Sequence, residues 1–292
     1  MKRSEHPNEG LNFEAIKPIV DYALKEDIGD GDHSTLCCID KSAVGQAILK
    51  IKEEGVLAGI NVAESIFNQF DANVVFEKQL EDGDTIKLGD IAFKVKAPIH
   101  VILQCERLVL NCMQRMSGIA TLTRKYTEKL APYHTKLLDT RKTTPNFRLL
   151  EKEAVRIGGG INHRFGLYDM IMLKDNHIDY CGSIENAINL AFDYVQHTKP
   201  GLKIEVETRN LEEVKRVMAV GKIDRIMLDN FSPEKISEAL IIINKQYETE
   251  ASGGINYDNL EKYASTGVDY ISSGAIIHQA TCLDLSLKAV IL

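Results

Sequence analysis

The sequence predicts an α/β protein whose second half is an incomplete parallel barrel of about six strands. Three observations predict it. From Lys136 onward, short apolar runs alternate with helix-patterned segments, as βα units do when they build a parallel sheet. Each run ends on a polar or glycine residue, and Glu207, Asp229, Ser252 and Gly274 follow one another at intervals of 22, 23 and 22 residues. Right-handed crossovers bring such carboxyl ends to one rim, where barrel proteins hold their ligands. The strands number fewer than the eight of a closed barrel, so the barrel is expected to stay open.

In chain order, MKRSEHPNEG lacks the apolar core of a signal peptide and is expected to be a frayed tail. LNFEAIKPIVDYALKED reads as a helix. QAILKIKEEGVLAGI, ANVVFEKQL and DTIKLGDIAFKVKAP alternate and carry Gly-Asp turn signals, so antiparallel strands are expected there. A long helix should follow Pro98. Its buried stripe is Val109, Cys112, Met113, Met116, Ala120 and Thr123, while Arg107, Asn111, Gln114 and Gly118 fall off it. The candidate barrel strands are KLLD, MIMLK, KIEVE, RIMLD, ETEAS and VDYISSG. Between the later ones lie the helical patterns SIENAINLAFDYVQ, LEEVKRVMAV, PEKISEALIIINKQY and NLEKYAS.

Composition narrows the function. The 292 residues carry 42 acidic and 35 basic side chains, a formal net charge of −7, which argues against a nucleic-acid binder. Any cationic cluster must therefore be local and aimed at a small anion. No apolar run is long enough to cross a bilayer, and the expected location is the cytoplasm. The six cysteines form no Cys-x-x-Cys pair and have no histidine at zinc spacing, so reduced thiols are expected and a thiolate-held metal is not.

The chemistry-bearing residues gather at strand ends. In DTRKTTPNFR, Arg141 and Lys142 stand side by side at a strand-to-helix turn, and Arg148 follows. His163 and Arg164 come after GGG (158–160), giving a second pair on the same cationic wall. Arginine offers a planar fork for carboxylate or phosphate, and lysine a point charge. Taken singly, each pair also reads as a solvated charged turn. Lys174 ends an apolar strand, where three readings stand: a Schiff-base lysine, a fixed cation for an anion, or a side chain reaching to solvent. Glu207 and Asp229 suit Mg²⁺ or sugar hydroxyls, and equally suit ion pairs with Lys174 and Arg164. Glu205 shares the face of Glu207 but lies deeper, so it is expected to stay outside the site. Ser252, Gly253 and Gly254, with Gly274 on the next unit, suit a phosphate cradle and also a tight turn.

Together these residues closely resemble the quinolinate phosphoribosyltransferase family. The matching stretches are ERLVLNCMQRMSGIATLT, DTRKTTPNFRLLEKEAVRIGGGINHRFGLYDMIMLKDNHI, IEVE, MLDNF, EASGGI and ISSGAI, in the family's order from about Glu106 to Ile276. The family usually has glycine where this chain has Asn146, and asparagine also tolerates unusual turn dihedrals.

The resemblance implies transfer of phosphoribosyl from phosphoribosyl pyrophosphate to quinolinate, with loss of CO₂ and with Mg²⁺ as cofactor. It implies a type II phosphoribosyltransferase-like architecture: an open α/β sandwich over 1–116, with 277–292 packing back on it, and an incomplete α/β barrel over 117–276. It places Arg107, Arg141, Lys142, Thr143, His163, Arg164 and Lys174 around the substrates. Glu207, Asp229, Ser252, Gly253, Gly254, Ser273 and Gly274 go toward the ribose, metal and phosphate, with Lys142, Lys174, Glu207 and Asp229 catalytic. A homodimer or higher homo-oligomer is implied, with Arg107 contributed across the interface. Three rivals remain open: a phosphoribosyltransferase for nicotinate or another base, a Schiff-base aldolase, and a non-catalytic phosphosugar binder.

Overall fold

The computed structural model describes residue 11 and residues 13–290, so the expected N-terminal tail lies outside the described residues. The elements in chain order begin with α1 (Phe13–Ile28), α2 (His33–Cys38), β1 (Val44–Ile51), β2 (Gly55–Val56), α3 (Ile60–Phe70) and β3 (Val75–Lys78). Then come β4 (Thr85–Ile86), β5 (Ile91–Pro98), α4 (Ile99–Leu130), β6 (Lys136–Leu138), α5 (Arg148–Ile157), β7 (Ile171–Leu173), α6 (Asp175–Cys181) and α7 (Ile184–His197). The rest are β8 (Ile204–Thr208), α8 (Leu211–Val220), β9 (Arg225–Asp229), α9 (Pro233–Ile243), β10 (Glu248–Ser252), α10 (Leu260–Ala264), β11 (Tyr270–Ser272), α11 (Ala275–His278) and β12 (Leu285–Val290).

The chain divides into two compact units. The first comprises Met1–Arg124, Thr144–Gly159 and Gln279–Leu292; the second comprises Lys125–Thr143 and Gly160–His278.

The first unit is built on the four-stranded sheet β12-β1-β5-β3, antiparallel throughout. Strand β1 alternates in burial, with Ala47, Leu49 and Ile51 inside, the period of a half-buried strand. Phe67 of α3 meets Phe76 and Phe93 from the sheet, with ring centroids 6.0 and 6.3 Å away. The stripe on α4 is buried as its spacing predicts, from Val109 to Thr123. Gly118, off that stripe, is nonetheless buried, because a Cβ there would run into the Thr281 carbonyl.

The second unit carries the parallel sheet β6-β11-β10-β9-β8-β7. Its end strands β6 and β7 do not pair with each other, so the barrel is open. Side chains of its helices close their own N-termini: Ser183 accepts the Asn186 N–H, Asn210 that of Glu213, and Ser232 that of Lys235. Helix α9 stops short of its sequence pattern because Asn244 and Lys245 take left-handed backbone conformations, φ 48° and 58°. Outward-facing Val206, Ile226, Leu228, Ala251 and Ile271 are fully buried, and this hydrophobic face makes the helices cover the sheet. The other face of β8, β9 and β10 is mostly polar: Glu205 and Glu207, Arg225 and Asp229 with Met227 between them, and Glu248, Glu250 and Ser252.

Candidate active site

Every strand of the second unit runs the same way, so the residues after their carboxyl ends share one edge. After β6, Asp139 is fully buried; its Oδ1 accepts the His163 N–H at 2.8 Å, and its own N–H donates to Ile161 O at 3.1 Å. These two bonds hold the His163-Arg164 segment beside β6. Burial lowers the Arg164 pKa, and the like charge of Arg141 lowers it further. Two guanidinium groups gathered in this way favour an anion between or beside them.

Lys142 is exposed, and its N–H donates to Thr140 Oγ1 at 3.0 Å. The Thr143 N–H donates to Arg141 O at 2.9 Å, a tight turn. Gly274, at the end of β11, leaves room for the Lys142 stem: a Cβ there would stand 3.1 Å from Lys142 Cδ. The next residue, Thr144, belongs to the first unit, where its N–H and hydroxyl donate to the buried Glu151 at 2.8 and 2.9 Å. Asn146, in the same unit, has φ 62°, the left-handed conformation that suits asparagine or glycine.

Lys174 follows β7 and places Nζ 3.1 Å from Glu207 Oε2. The lysine side chain is 45% exposed and the glutamate 8%, so the carboxylate is the fixed partner and the ammonium reaches outward. Asp229 accepts from Asn230 Nδ2 at 2.6 Å, and the Asn230 N–H donates to Ser252 O at 2.8 Å. Gly253, at φ 100°, has to be glycine, because a Cβ would collide with the Asn230 amide. The edge thus collects Arg141, Lys142, Arg164, Lys174, Glu207, Asp229, Ser252 and three glycines. Ser273 sits apart from this set: it is 2% exposed, its hydroxyl donates to Ile255 O at 2.7 Å and its N–H to Leu138 O at 3.1 Å. Arg107 is exposed on α4, in the first unit. An apolar depression lined by Ile171, Leu173, His177, Cys181, Leu190 and Tyr194 takes the β7 side chains that alternate with Lys174.

Below the edge lies a charged layer that the sequence reading did not assemble. His163 is buried, and its Nε2 stands 3.0 Å from Glu205 Oε2 and 3.1 Å from Glu250 Oε2. Arg225 Nη1 meets the same Glu250 oxygen at 3.2 Å, Nη2 reaches Glu248 at 2.9 Å, and the guanidinium lies 4.2 Å from the centroid of the Tyr270 ring. Glu205, expected outside the site, is indeed one step deeper than Glu207, yet it supports a site residue. Burial works to lower the His163 pKa, but the two carboxylates outweigh it and raise it to about 9. Burial and the charge of Glu250 push Glu205 up to about 7.

The Arg164 nitrogen lies 2.7 Å from His163 Nδ1, so the ring and the peptide that carries Arg164 hold each other in place. The signal for this layer was present in the strands, as charged residues at alternate positions of IEVET, RIMLD and ETEAS.

Comparison with known proteins agrees with the geometry. The N-terminal domain family of quinolinate phosphoribosyl transferase matches residues 32–117, and the C-terminal domain family matches 119–288. The chain belongs to the quinolinate phosphoribosyltransferase family. It is 41% identical to quinolinate phosphoribosyltransferase [decarboxylating] 1b of Nicotiana tabacum, over 99% of this chain and 85% of that one. It is 40% identical to the probable nicotinate-nucleotide pyrophosphorylase [carboxylating] of Bacillus subtilis, over 95% and 94%. The crystal structure of NadC from Streptococcus pyogenes superposes with a TM-score of 0.91 at 41% identity, covering 98% of this chain and all of that one. Human nicotinic acid phosphoribosyltransferase, 12% identical with a TM-score of 0.61, shares the fold alone. The open barrel is therefore that of this family.

Proposed function

We infer that the chain transfers phosphoribosyl from phosphoribosyl pyrophosphate to quinolinate and releases CO₂, pyrophosphate and nicotinate mononucleotide, a step of NAD synthesis. The observation that carries this reading is the gathering of Arg141, Lys142, Arg164 and Lys174 with Glu207 and Asp229 on one sheet edge. Both substrates are polyanions, and fixed cations are what hold two polyanions together against their repulsion. Family membership and identity near 40% over the whole chain support the same substrates.

The chemistry follows from the charges. As pyrophosphate leaves, the anomeric carbon of the ribose becomes positive, and the carboxylates of Glu207 and Asp229 stabilise that charge. Lys142 and Lys174 stabilise the leaving group and the pyridine carboxylates, and Arg141 and Arg164 clamp carboxylate by their planar forks. Thr143 and the His163 segment complete the quinolinate side; Ser252, Gly253, Gly254 and Gly274 form the phosphate side, and the buried Ser273 holds the chain behind them. Alignment of the quinolinate nitrogen with the ribose supplies much of the acceleration. The pyridinium so formed withdraws electrons from the adjacent carboxylate, and CO₂ is lost without an organic cofactor.

Glu207 and Asp229 also fit Mg²⁺. They are hard oxygen donors at neighbouring strand ends, and Mg²⁺ takes one or two carboxylates plus phosphate and water. When bound, the ion neutralises pyrophosphate charge. The working assembly is a homodimer or higher homo-oligomer in which Arg107 completes the partner's quinolinate site. A cytoplasmic location fits the Bacillus relative, and among the described residues no helix is long and apolar enough to cross a membrane.

The test is direct: incubate the protein with quinolinate, phosphoribosyl pyrophosphate and Mg²⁺, and follow CO₂ and nicotinate mononucleotide. Turnover of nicotinate but not quinolinate would reassign the substrate.

A further inference from the structure

Cys37 and Cys38 end α2 with both side chains exposed, and their Sγ atoms lie 3.3 Å apart. Adjacent helical side chains ordinarily point apart, so the convergence is particular to this helix end. Cys37 Sγ also lies 3.3 Å from Ser34 O, and the helix is closed by the Ile39 N–H donating to Thr35 O at 3.0 Å.

A pair of thiols in this position has two conceivable uses. The first, oxidation to a disulfide, is opposed by the backbone. Consecutive Cα atoms stand about 3.8 Å apart, below the roughly 4.4 Å at which ordinary disulfides begin. Bringing the sulfurs to bond distance would unwind the end of α2. The thiols are also poor peroxide targets, because the negative end of a helix disfavours thiolate. The hydrogen bond with Cys37 raises the Cys38 pKa.

The second use needs no such movement. A single centre bonded to both sulfurs tolerates the separation they already have. With a bond of about 2.3 Å, as in zinc thiolates, a tetrahedral centre would ask for roughly 3.8 Å between sulfurs. The observed 3.3 Å corresponds to an angle of about 90° at the bridging atom, given the same bond length of about 2.3 Å. That is the angle of a pyramidal, lone-pair centre. Among the described residues no histidine, aspartate or glutamate joins the two thiols in a potential metal cluster, so the centre must bring its remaining substituents with it.

We propose that Cys37 and Cys38 form a dithiol site for a trivalent, thiophilic arsenic oxide, bound as a cyclic dithioarsinite. Two S–H bonds break and two As–S bonds form; the oxygen of the arsenic oxide leaves as water with both thiol protons. Arsenic stays trivalent and no electron is transferred. The other cysteines cannot chelate in this way. Cys105 and Cys112 are buried, with thiols pushed up to about 12, while Cys181 and Cys282 have no neighbouring thiol partner in sequence.

Phenylarsine oxide is the probe. Full-length protein is titrated with it, washed with excess 2-mercaptoethanol and weighed intact by mass spectrometry. One arsenical per chain should survive the monothiol and be stripped by dimercaptopropanol. Cys37→Ser and Cys38→Ser should each lose it, and Cys282→Ser should keep it. Far-ultraviolet circular dichroism of the two serine variants, matching wild type, shows that the loss is local. A monothiol-resistant adduct that persists in Cys38→Ser, or none in the wild type, overturns the site.

Discussion

His163 is suspended between two strands and its own backbone: Nε2 lies 3.1 Å from Glu250 Oε2, and Nδ1 lies 2.7 Å from the Arg164 nitrogen. The ring therefore fixes the peptide that presents Arg164 to the edge, and Glu250 fixes the ring. Glu250 also holds Arg225 at 3.2 Å, so it serves two cationic or donor groups at once while fully buried. Glu250→Ala should cost about 3–5 kcal/mol, because it strands Arg225 and His163 without their shared acceptor. Glu250→Gln keeps the shape and should cost less. Urea unfolding of the three proteins measures both, and equal midpoints for wild type and Glu250→Ala would show the cluster to be dispensable.

The same cluster sets a pH dependence of stability. His163 rises from 6.5 to about 9 on folding, and Glu205 from 4.5 to about 7. A group that holds its proton more tightly when folded stabilises the fold below its unfolded pKa, and that contribution is lost as pH rises through the folded one. Both shifts have this sign. Stability should therefore decline as pH rises from about 4.5 to about 9, the span of these shifts. Glu205→Gln should flatten the lower part of the decline. Urea midpoints across this range test it; a midpoint that climbs with pH would reverse the assignment.

Lys174 is expected to act as a charge and not as a nucleophile. Its Nζ lies 3.1 Å from Glu207 Oε2 and the side chain is 45% exposed, whereas a Schiff-base lysine sits desolvated in an apolar pocket. Borohydride reduction with substrate present should trap no adduct. Lys174→Ala should still abolish turnover, since a substrate anion then lacks its counter-charge. A reduced adduct on Lys174 would move the protein to aldolase chemistry.

Much of this was legible in the sequence, and the reasons differ by element. Strands β9 and β10 match RIMLD and ETEAS residue for residue, because each is a short buried run bounded by a turn and a cap. Helix α3 was missed. Its Ile60-Asn61-Val62-Ala63 start continues an alternating, β-branched stretch, and only the tertiary contacts of Ile66 and Phe67 decide for helix. The edge residues were legible one strand at a time, since each sits at an apolar run's end. The pairing of His163 with Glu205 and Glu250 was not. It joins positions 42 and 87 residues apart, and only the register of β8 and β10 around the sheet brings them together.

The remaining prediction concerns Arg107. It lies off the buried stripe of α4 and is exposed, so its charge is available to something outside its own helix. If it completes the quinolinate site of a neighbouring subunit, a two-fold dimer shares both sites reciprocally. An Arg107→Ala chain and a Glu207→Ala chain should each be inactive alone. Mixed under conditions that exchange subunits, each heterodimer then contains one wholly intact site and one doubly altered site. Random pairing in equal amounts makes half the dimers mixed, and about a quarter of wild-type activity should return. If Arg107 served its own barrel, every site in every pairing would carry a defect and the mixture would stay inactive. Subunit exchange is verified by mass spectrometry on differently tagged chains. Confirmed exchange with no recovered turnover would leave Arg107 without a role across the interface.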